Sequence, residues 1–145
     1  EKYSEKQLVF TCHFVDGGEV MAPRKEFTHS VVHLLDNAFK FSPQNGKVHL
    51  ELNTGPNGGI KITVSDEGPG IPLDQREKVF EKFYQAGKAI IHSSGTTSFK
   101  GGGPGLGLAI VRGVAKAHGG RVWVESAGHD EVNFPGCSFY LWLPA

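Results

Sequence analysis

The chain of 145 residues can bury one hydrophobic core and is too short for two, so we expect a single domain over residues 1–145. Its 15 basic and 15 acidic side chains cancel, which argues against a general nucleic-acid binder and against a polybasic membrane-surface domain. No apolar run approaches the roughly 20 residues that span a bilayer, so the domain is expected to make no membrane contact.

The first half of the chain predicts three strands and one helix. Residues 6–14 are rich in β-branched and aromatic side chains, which predicts an edge or early core strand. Apolar side chains at helical spacing predict a helix over residues 24–41, ended by a Ser-Pro pair. Residues 46–53 and 60–66 predict two hairpin strands, joined by a turn rich in Gly, Pro and Asn.

The second half predicts two helices and two strands around one irregular segment. A short helix is expected over residues 73–83, and a longer one over 106–118. Residues 85–103 have no sustained period and are crowded with Gly, Ser and Thr, as in a functional or disordered loop. Residues 121–125 and 138–143 predict the last strands. Hairpins interspersed with helices favour a mixed sheet with helices on one face.

A glycine-rich loop leads directly into the last predicted helix. Glycines at 101, 102, 103, 105 and 107 precede an apolar helical run. The first N–H groups of a helix lack internal partners and carry the positive end of the helix dipole, so such a junction suits an anion, phosphate above all. Taken alone, the pattern also fits a plain flexible loop.

Two polar positions suggest nucleotide chemistry. Asp66 closes an apolar strand and is followed by glycines; its carboxylate can accept a hydrogen bond from an exocyclic amine, although an ordinary turn is the alternative. Ser30, His33, Asn37 and Lys40 form a polar stripe beside the apolar face of the first helix, where a cleft would be lined. The Asn37 oxygen suits Mg²⁺ and Lys40 suits phosphate, while a solvated helix face is the alternative.

Other chemistries are poorly supported. His29 and His33 have the spacing of half a zinc site, but no third ligand is close in sequence. No motif for a covalent nucleophile is present. Cys12 and Cys137 lack C-x-x-C spacing, which predicts reduced cysteines of a cytosolic protein, with a bridge between neighbouring strands left open. The start without a Met suggests that a natural neighbour precedes the domain.

Five segments in order and spacing resemble the N, G1, F, G2 and final G boxes of the sensor histidine kinase catalytic domain. They are HLLDNAFKFS at 33–42, DEGPGIP at 66–72, VFEKFYQA at 79–86, GGGPGLGLAI at 101–110 and PGCSFYLWLP at 135–144. The fold is shared with the gyrase, Hsp90 and MutL ATPases. The resemblance implies an α/β two-layer sandwich in which a mixed sheet of about five strands lies under three helices.

The resemblance also implies a site for ATP and Mg²⁺. Asn37 would bind Mg²⁺ and, with Lys40, act in catalysis; Asp66 would accept the adenine amino group. Residues 86–103 would form a mobile lid, with its base anchored by Phe80 and Phe83. The other nucleotide-binding positions implied are Phe41, Gly68, Gly70, Ile71, Lys100, Gly103, Gly105, Leu106, Gly107 and Leu108.

Three positions depart from the family pattern. His33 stands where many members have Asn and where gyrase-like ATPases have the glutamate that activates water; Gln85 replaces an Arg, and Cys137 replaces a common Thr. The resemblance therefore carries no metal binding to His33 and no phosphate binding to Gln85. His129-Asp130 followed by Pro135 imitates a phosphoacceptor motif, but its Gly-rich surroundings predict a surface loop.

By resemblance, the domain transfers the ATP γ-phosphate to a histidine on a separate phosphoacceptor domain of the same protein. A downstream response regulator would then act indirectly, and the full-length protein would be a homodimer. The location would be cytoplasmic, including the cytoplasmic part of a membrane-bound sensor. An ATP-hydrolysing member of the same fold and a non-catalytic nucleotide-binding module are the alternatives.

Overall fold

The computed structural model describes residues 9–14, 24–54, 59–82, 84–85, 88–89 and 107–144. Within these ranges lie two α-helices, α1 (Arg24–Phe41) and α2 (Gly107–Ala117). The main strands are β1 (Val9–Phe14), β2 (Lys47–Thr54), β3 (Ile60–Asp66), β6 (Arg121–Glu125) and β7 (Cys137–Leu143). A small hairpin comprises β4 (Tyr84–Gln85) and β5 (Lys88–Ala89).

The five main strands form one mixed sheet in the order β1-β2-β3-β7-β6. β1 runs parallel to β2, and the other neighbouring pairs are antiparallel. β1 therefore lies at an edge of the sheet. The sequence had predicted either an edge strand or an early core strand here, and the first alternative is confirmed. β3 and β7 occupy the middle of the sheet, and their pairing places Asp66 opposite Cys137.

One face of the sheet carries the hydrophobic core. Successive side chains of a strand point to opposite faces, and the buried positions of β7 alternate accordingly. α1 contacts β2 and β3, α2 contacts β6 and β7, and the two helices contact each other. Their fully buried side chains, such as Leu34 on α1 and Val111 on α2, complete the core. The predicted two-layer arrangement is confirmed.

The short helix predicted over residues 73–83 takes a tighter form. Two 3-10 turns, Leu73–Gln75 and Lys78–Phe80, replace continuous α-helix, and Glu81 is already extended at φ −81° and ψ 151°. Phe80, the last residue of the second turn, is buried, and its ring contacts the Phe139 ring edge-on with 6.0 Å between the ring centroids. One aromatic anchor thus fixes a segment too short to stabilise itself as a helix.

Smaller differences concern ends and connections. α2 is one residue shorter at each end than predicted, and β7 begins one residue earlier, at Cys137. The hairpin β4–β5 lies mostly inside a segment expected to be irregular. Cys137 is a free, buried thiol, so the bridge alternative is excluded. No helix in the described ranges has the length and apolarity needed to cross a membrane.

Candidate functional site

Asp66 lies buried at the end of β3, with only 8% of its surface exposed. The backbone N–H of Gly68 donates to Asp66 Oδ1 at 2.8 Å, and the backbone N–H of Cys137 donates to the same carboxyl group. A carboxylate offers about four acceptor positions. Two backbone donors therefore fix the group while leaving it able to accept a further hydrogen bond.

The environment of Asp66 makes its charge costly. Burial raises the pKa of Asp66 to about 6; the hydrogen bonds from Gly68 and Cys137 oppose this rise, and the negative charge of Glu67 adds to it. A buried carboxylate of this kind gains more from a new donor than an exposed one does, because water competes less for it. The side chain is thus suited to recognise an N–H donor.

Two glycines after Asp66 are required by protein packing. A Cβ on Gly68 would lie 2.6 Å from the carbonyl oxygen of Phe41, at the end of α1. Gly70 has φ +85°, and a Cβ there would lie 1.9 Å from the carbonyl oxygen of Gly128. Both positions thus admit neighbouring backbone, and the nucleotide contacts that the resemblance implies for Gly68 and Gly70 stay a prediction.

The polar stripe of α1 lies beside the core as predicted. Ser30 is fully buried, and its hydroxyl has no hydrogen-bond partner among the described residues. His33, Asn37 and Lys40 are half-buried. The Lys40 Nζ lies 5.1 Å from the centroid of the Phe41 ring, in cation–π geometry.

His33 faces the beginning of α2. A Cβ on Gly107, the first residue of α2, would lie 3.3 Å from His33 Nδ1. Burial lowers the pKa of His33, and the nearby His29 lowers it further, against a smaller opposing effect of Asp36. The imidazole is therefore neutral at pH 7, and the positive end of the α2 dipole favours the same form.

The remaining predicted nucleotide-binding residues fall into two groups. Ile71 is buried in the hydrophobic core, and Leu108 is partly buried against it. Lys100, Gly103, Gly105 and Leu106 lie outside the described residues, as do Phe83 and the predicted lid apart from Lys88–Ala89. Over the described ranges, no three or more His, Cys, Asp and Glu side chains cluster so that they could hold a metal ion.

A cavity of about 480 Å³ opens beside Asp66. No residue of α1 lines it; its walls come from the end of β6, the start of β7, the two ends of the connection between them, and Arg76, which follows the first 3-10 turn. Sequence reasoning had singled out Asp66 and the motif segment that contains residues 135–138, but it missed Arg76 and residues 125–127, which belong to no motif. The lining side chains include Arg76, Glu125, Ser126, Pro135, Cys137 and Ser138.

Comparison with known proteins places this geometry in a family. The model of the family described as "Histidine kinase-, DNA gyrase B-, and HSP90-like ATPase" matches residues 23–145. The signal transduction histidine-protein kinase/phosphatase MprB of Mycobacterium sp. (strain KMS) is 41% identical over 133 residues, covering 90% of this chain and 23% of the relative. MprB of Mycobacterium leprae (strain TN) is 38% identical over 128 residues, covering 88% and 23%. The chain thus spans less than a quarter of these relatives.

Solved structures share the fold. A structure of the mycobacterial sensor histidine kinase MprB superimposes with a TM-score of 0.78 at 30% identity, covering 99% of this chain and 88% of that one. A nucleotide-free catalytic domain of the histidine kinase ThkA gives a TM-score of 0.73 at 24% identity, with 99% and 84% covered. The latter likeness concerns the fold alone.

Proposed function

Because this chain belongs to the histidine kinase-, DNA gyrase B- and HSP90-like ATPase family, we propose that it works as the ATP-binding catalytic domain of a two-component sensor histidine kinase. It transfers the γ-phosphate of ATP to a histidine on a separate phosphoacceptor domain of the same protein. The observation that carries the proposal is the buried Asp66 carboxylate, held by the Gly68 N–H at 2.8 Å with acceptor capacity to spare.

Base recognition follows from that carboxylate. The exocyclic amino group of adenine donates hydrogen bonds, and Asp66 can accept one. Guanine presents a carbonyl oxygen at the corresponding position, which an ionised carboxylate repels. A site built around a buried acceptor rejects ligands that leave it unpaired, so selectivity for adenine over guanine is expected.

Phosphate binding is assigned to α1 and to the beginning of α2. Asn37 supplies a carboxamide oxygen for Mg²⁺, which screens the triphosphate charge when bound. Lys40 adds positive charge one helical turn later, and its Nζ lies 5.1 Å from the centroid of the Phe41 ring. Gly107 and Leu108 offer N–H groups at a helix start, and Lys100, Gly103, Gly105 and Leu106 complete the loop in this proposal.

His33 favours transfer to a protein histidine over transfer to water. A hydrolase needs a base that holds water in line with the γ-phosphate. Here the residue one turn before Asn37 is a neutral imidazole against Gly107. Water is then a poor competitor for an incoming histidine side chain.

The whole protein would supply the missing parts. We propose that the phosphoacceptor domain lies upstream of this domain and that residues 86–103 form an ATP lid. The full-length protein would be a homodimer in the cytoplasm or at the cytoplasmic side of a membrane. A response regulator would act downstream of it.

The test is a calorimetric titration of this chain with ATP, with and without Mg²⁺, followed by addition of the phosphoacceptor domain in trans. We expect Mg²⁺-dependent binding, very slow hydrolysis, no self-labelling and transfer to the added histidine. Steady hydrolysis at roughly 1 s⁻¹ or faster without an acceptor would instead support an ATPase. Binding without transfer or hydrolysis would support a non-catalytic module.

A further inference from the structure

The connection between β6 and β7, residues 126–136, is tied to the loop that follows Asp66 by three hydrogen bonds. The Ile71 N–H donates to Ser126 Oγ at 3.1 Å. The Asp130 N–H donates to the Pro69 carbonyl at 2.7 Å, and the Gly136 N–H donates to the Gly68 carbonyl at 2.9 Å. The loop carrying the candidate base site is therefore braced along most of its length.

Ser126 is the side chain at the centre of this brace. Besides accepting from Ile71, its Oγ accepts from the Gly128 N–H at 3.2 Å and donates to the Gly136 carbonyl at 2.9 Å. A hydroxyl has one proton and two lone pairs, so these three bonds use its full capacity.

Ser126 also reaches the Asp66 carboxylate through one peptide unit. Its hydroxyl donates to the Gly136 carbonyl, and the N–H of the same peptide unit, that of Cys137, donates to Asp66. On the other side, a Cβ on Gly70 would lie 2.9 Å from Ser126 Oγ, so the loop rests directly on the hydroxyl. The Ser126 hydroxyl thus holds both the start of β7, which contacts Asp66, and the loop that follows Asp66.

We propose that Ser126 is a positioning residue for base recognition: its hydroxyl fixes the Gly70–Ile71 backbone and the Cys137 end of β7, and so holds the Asp66 carboxylate where the adenine amino group meets it. This inference rests on the proposed function. Loss of the hydroxyl leaves the Ile71 N–H without its acceptor, and the loop relaxes toward water or another partner. The effect falls on the base contact, because the partners of the Ser126 hydroxyl among the described residues are Ile71, Gly128 and Gly136, and none of them belongs to α1 or α2.

The experiment compares Ser126→Ala with the wild-type chain, using Mg·ATP, Mg·GTP and Mg·tripolyphosphate as separate probes in calorimetry. We expect ATP to bind roughly 5- to 30-fold more weakly, the ATP-over-GTP preference to shrink, and tripolyphosphate to bind as before. Ser126→Thr, which keeps the hydroxyl, should restore most of the affinity. Ser65→Ala is the matched control, since it removes a hydroxyl whose partner within the described part of the chain is Ser138 Oγ, at 2.9 Å.

Two results would overturn the inference. Unchanged ATP affinity and selectivity in Ser126→Ala would do so, and an equal loss for ATP and tripolyphosphate would show a merely structural role. Amide exchange of wild-type Ile71 without nucleotide gives a check that needs no variant: we expect protection, and rapid exchange contradicts the brace. A wild-type chain that binds no Mg·ATP removes the proposed function itself, and this inference with it.

Discussion

Asp66 and Lys40 belong to the two segments that meet where Gly68 packs against Phe41, but their side chains are held differently. Asp66 is buried, accepts two backbone N–H groups, and sits in a loop braced by the β6–β7 connection. Lys40 is half-buried on the surface of α1, and its charged end lies over an exposed aromatic ring. The proposed base end of the site is built into the fold, whereas the proposed phosphate end includes the long, half-buried side chain of Lys40.

This difference predicts that the two ends of the proposed site contribute to different properties of the enzyme, one to nucleotide binding and the other to the rate of transfer. A preformed carboxylate recognises the base without losing conformational entropy on binding, and so contributes mainly to affinity and selectivity. In the proposed site, Asn37 and Lys40 on α1 act on the phosphate as charge redistributes during transfer, and so contribute mainly to the rate. Substitutions at the two ends should therefore separate binding from catalysis.

The largest effect is expected at the phosphate end, for Asn37→Ala. Loss of a ligand that positions Mg²⁺ should lower phosphotransfer by roughly 10²- to 10³-fold, with a smaller loss of nucleotide affinity. The measurement is transfer to the phosphoacceptor domain together with binding at several Mg²⁺ concentrations. Without Mg²⁺, wild type and variant should bind ATP equally; a difference that persists there would remove Asn37 from the metal site.

A pair of glycines tests whether the base end depends on its brace. Gly70→Ala should cost roughly 2–4 kcal/mol of unfolding free energy, because φ is +85° and the new Cβ would overlap the Gly128 carbonyl oxygen. Gly113→Ala is the control: it lies inside α2 with nothing within 4 Å of its added Cβ, and should stabilise by about 0.5–1 kcal/mol. Chemical denaturation measures both, and equal effects would refute the packing argument.

Asp66→Asn should separate stability from binding at the base end. The amide can turn its NH₂ toward the adenine amino group, so ATP affinity should fall roughly ten- to a hundredfold. Without nucleotide the same change should stabilise the protein at pH 7, since it removes a buried charge. Unchanged ATP binding would refute the role of Asp66.

The sign of the pH effect follows from the raised pKa. Asp66 has a pKa of about 6 when folded against 3.8 as a model group, so the folded state binds the proton more tightly. This contribution is fully present below pH 3.8 and is lost as the pH rises through about 6. Wild type should therefore gain roughly 2–3 kcal/mol relative to Asp66→Asn between pH 7 and pH 4. A constant difference in unfolding free energy across that range would contradict the burial argument.

The sequence predicted the regular elements well and the tertiary contacts of the site poorly. α1, β3 and β6 begin and end at the predicted residues, because each has a clear period and a local stop signal. Asp66 stood out because it closes a strand before glycines. Ser126 did not, since its role depends on Ile71, 55 positions away. Ile71 itself is a core residue, and a side chain's burial is set by tertiary packing that local pattern does not specify.

The smallest effect is expected for His33→Glu, which tests the division between kinase and hydrolase. A carboxylate at this position would stand beside the start of α2, where the helix dipole stabilises negative charge. It would also supply the base that holds water for attack on the γ-phosphate, so hydrolysis should rise from a very low rate by up to roughly tenfold while ATP affinity changes little. The measurement is phosphate release without a phosphoacceptor. His33→Gln is the matched control, because it is polar but cannot take a proton, and should leave hydrolysis low. If the wild-type chain already hydrolyses ATP and both substitutions abolish that activity, the neutral imidazole of His33 is itself the base, and the chain is an ATPase.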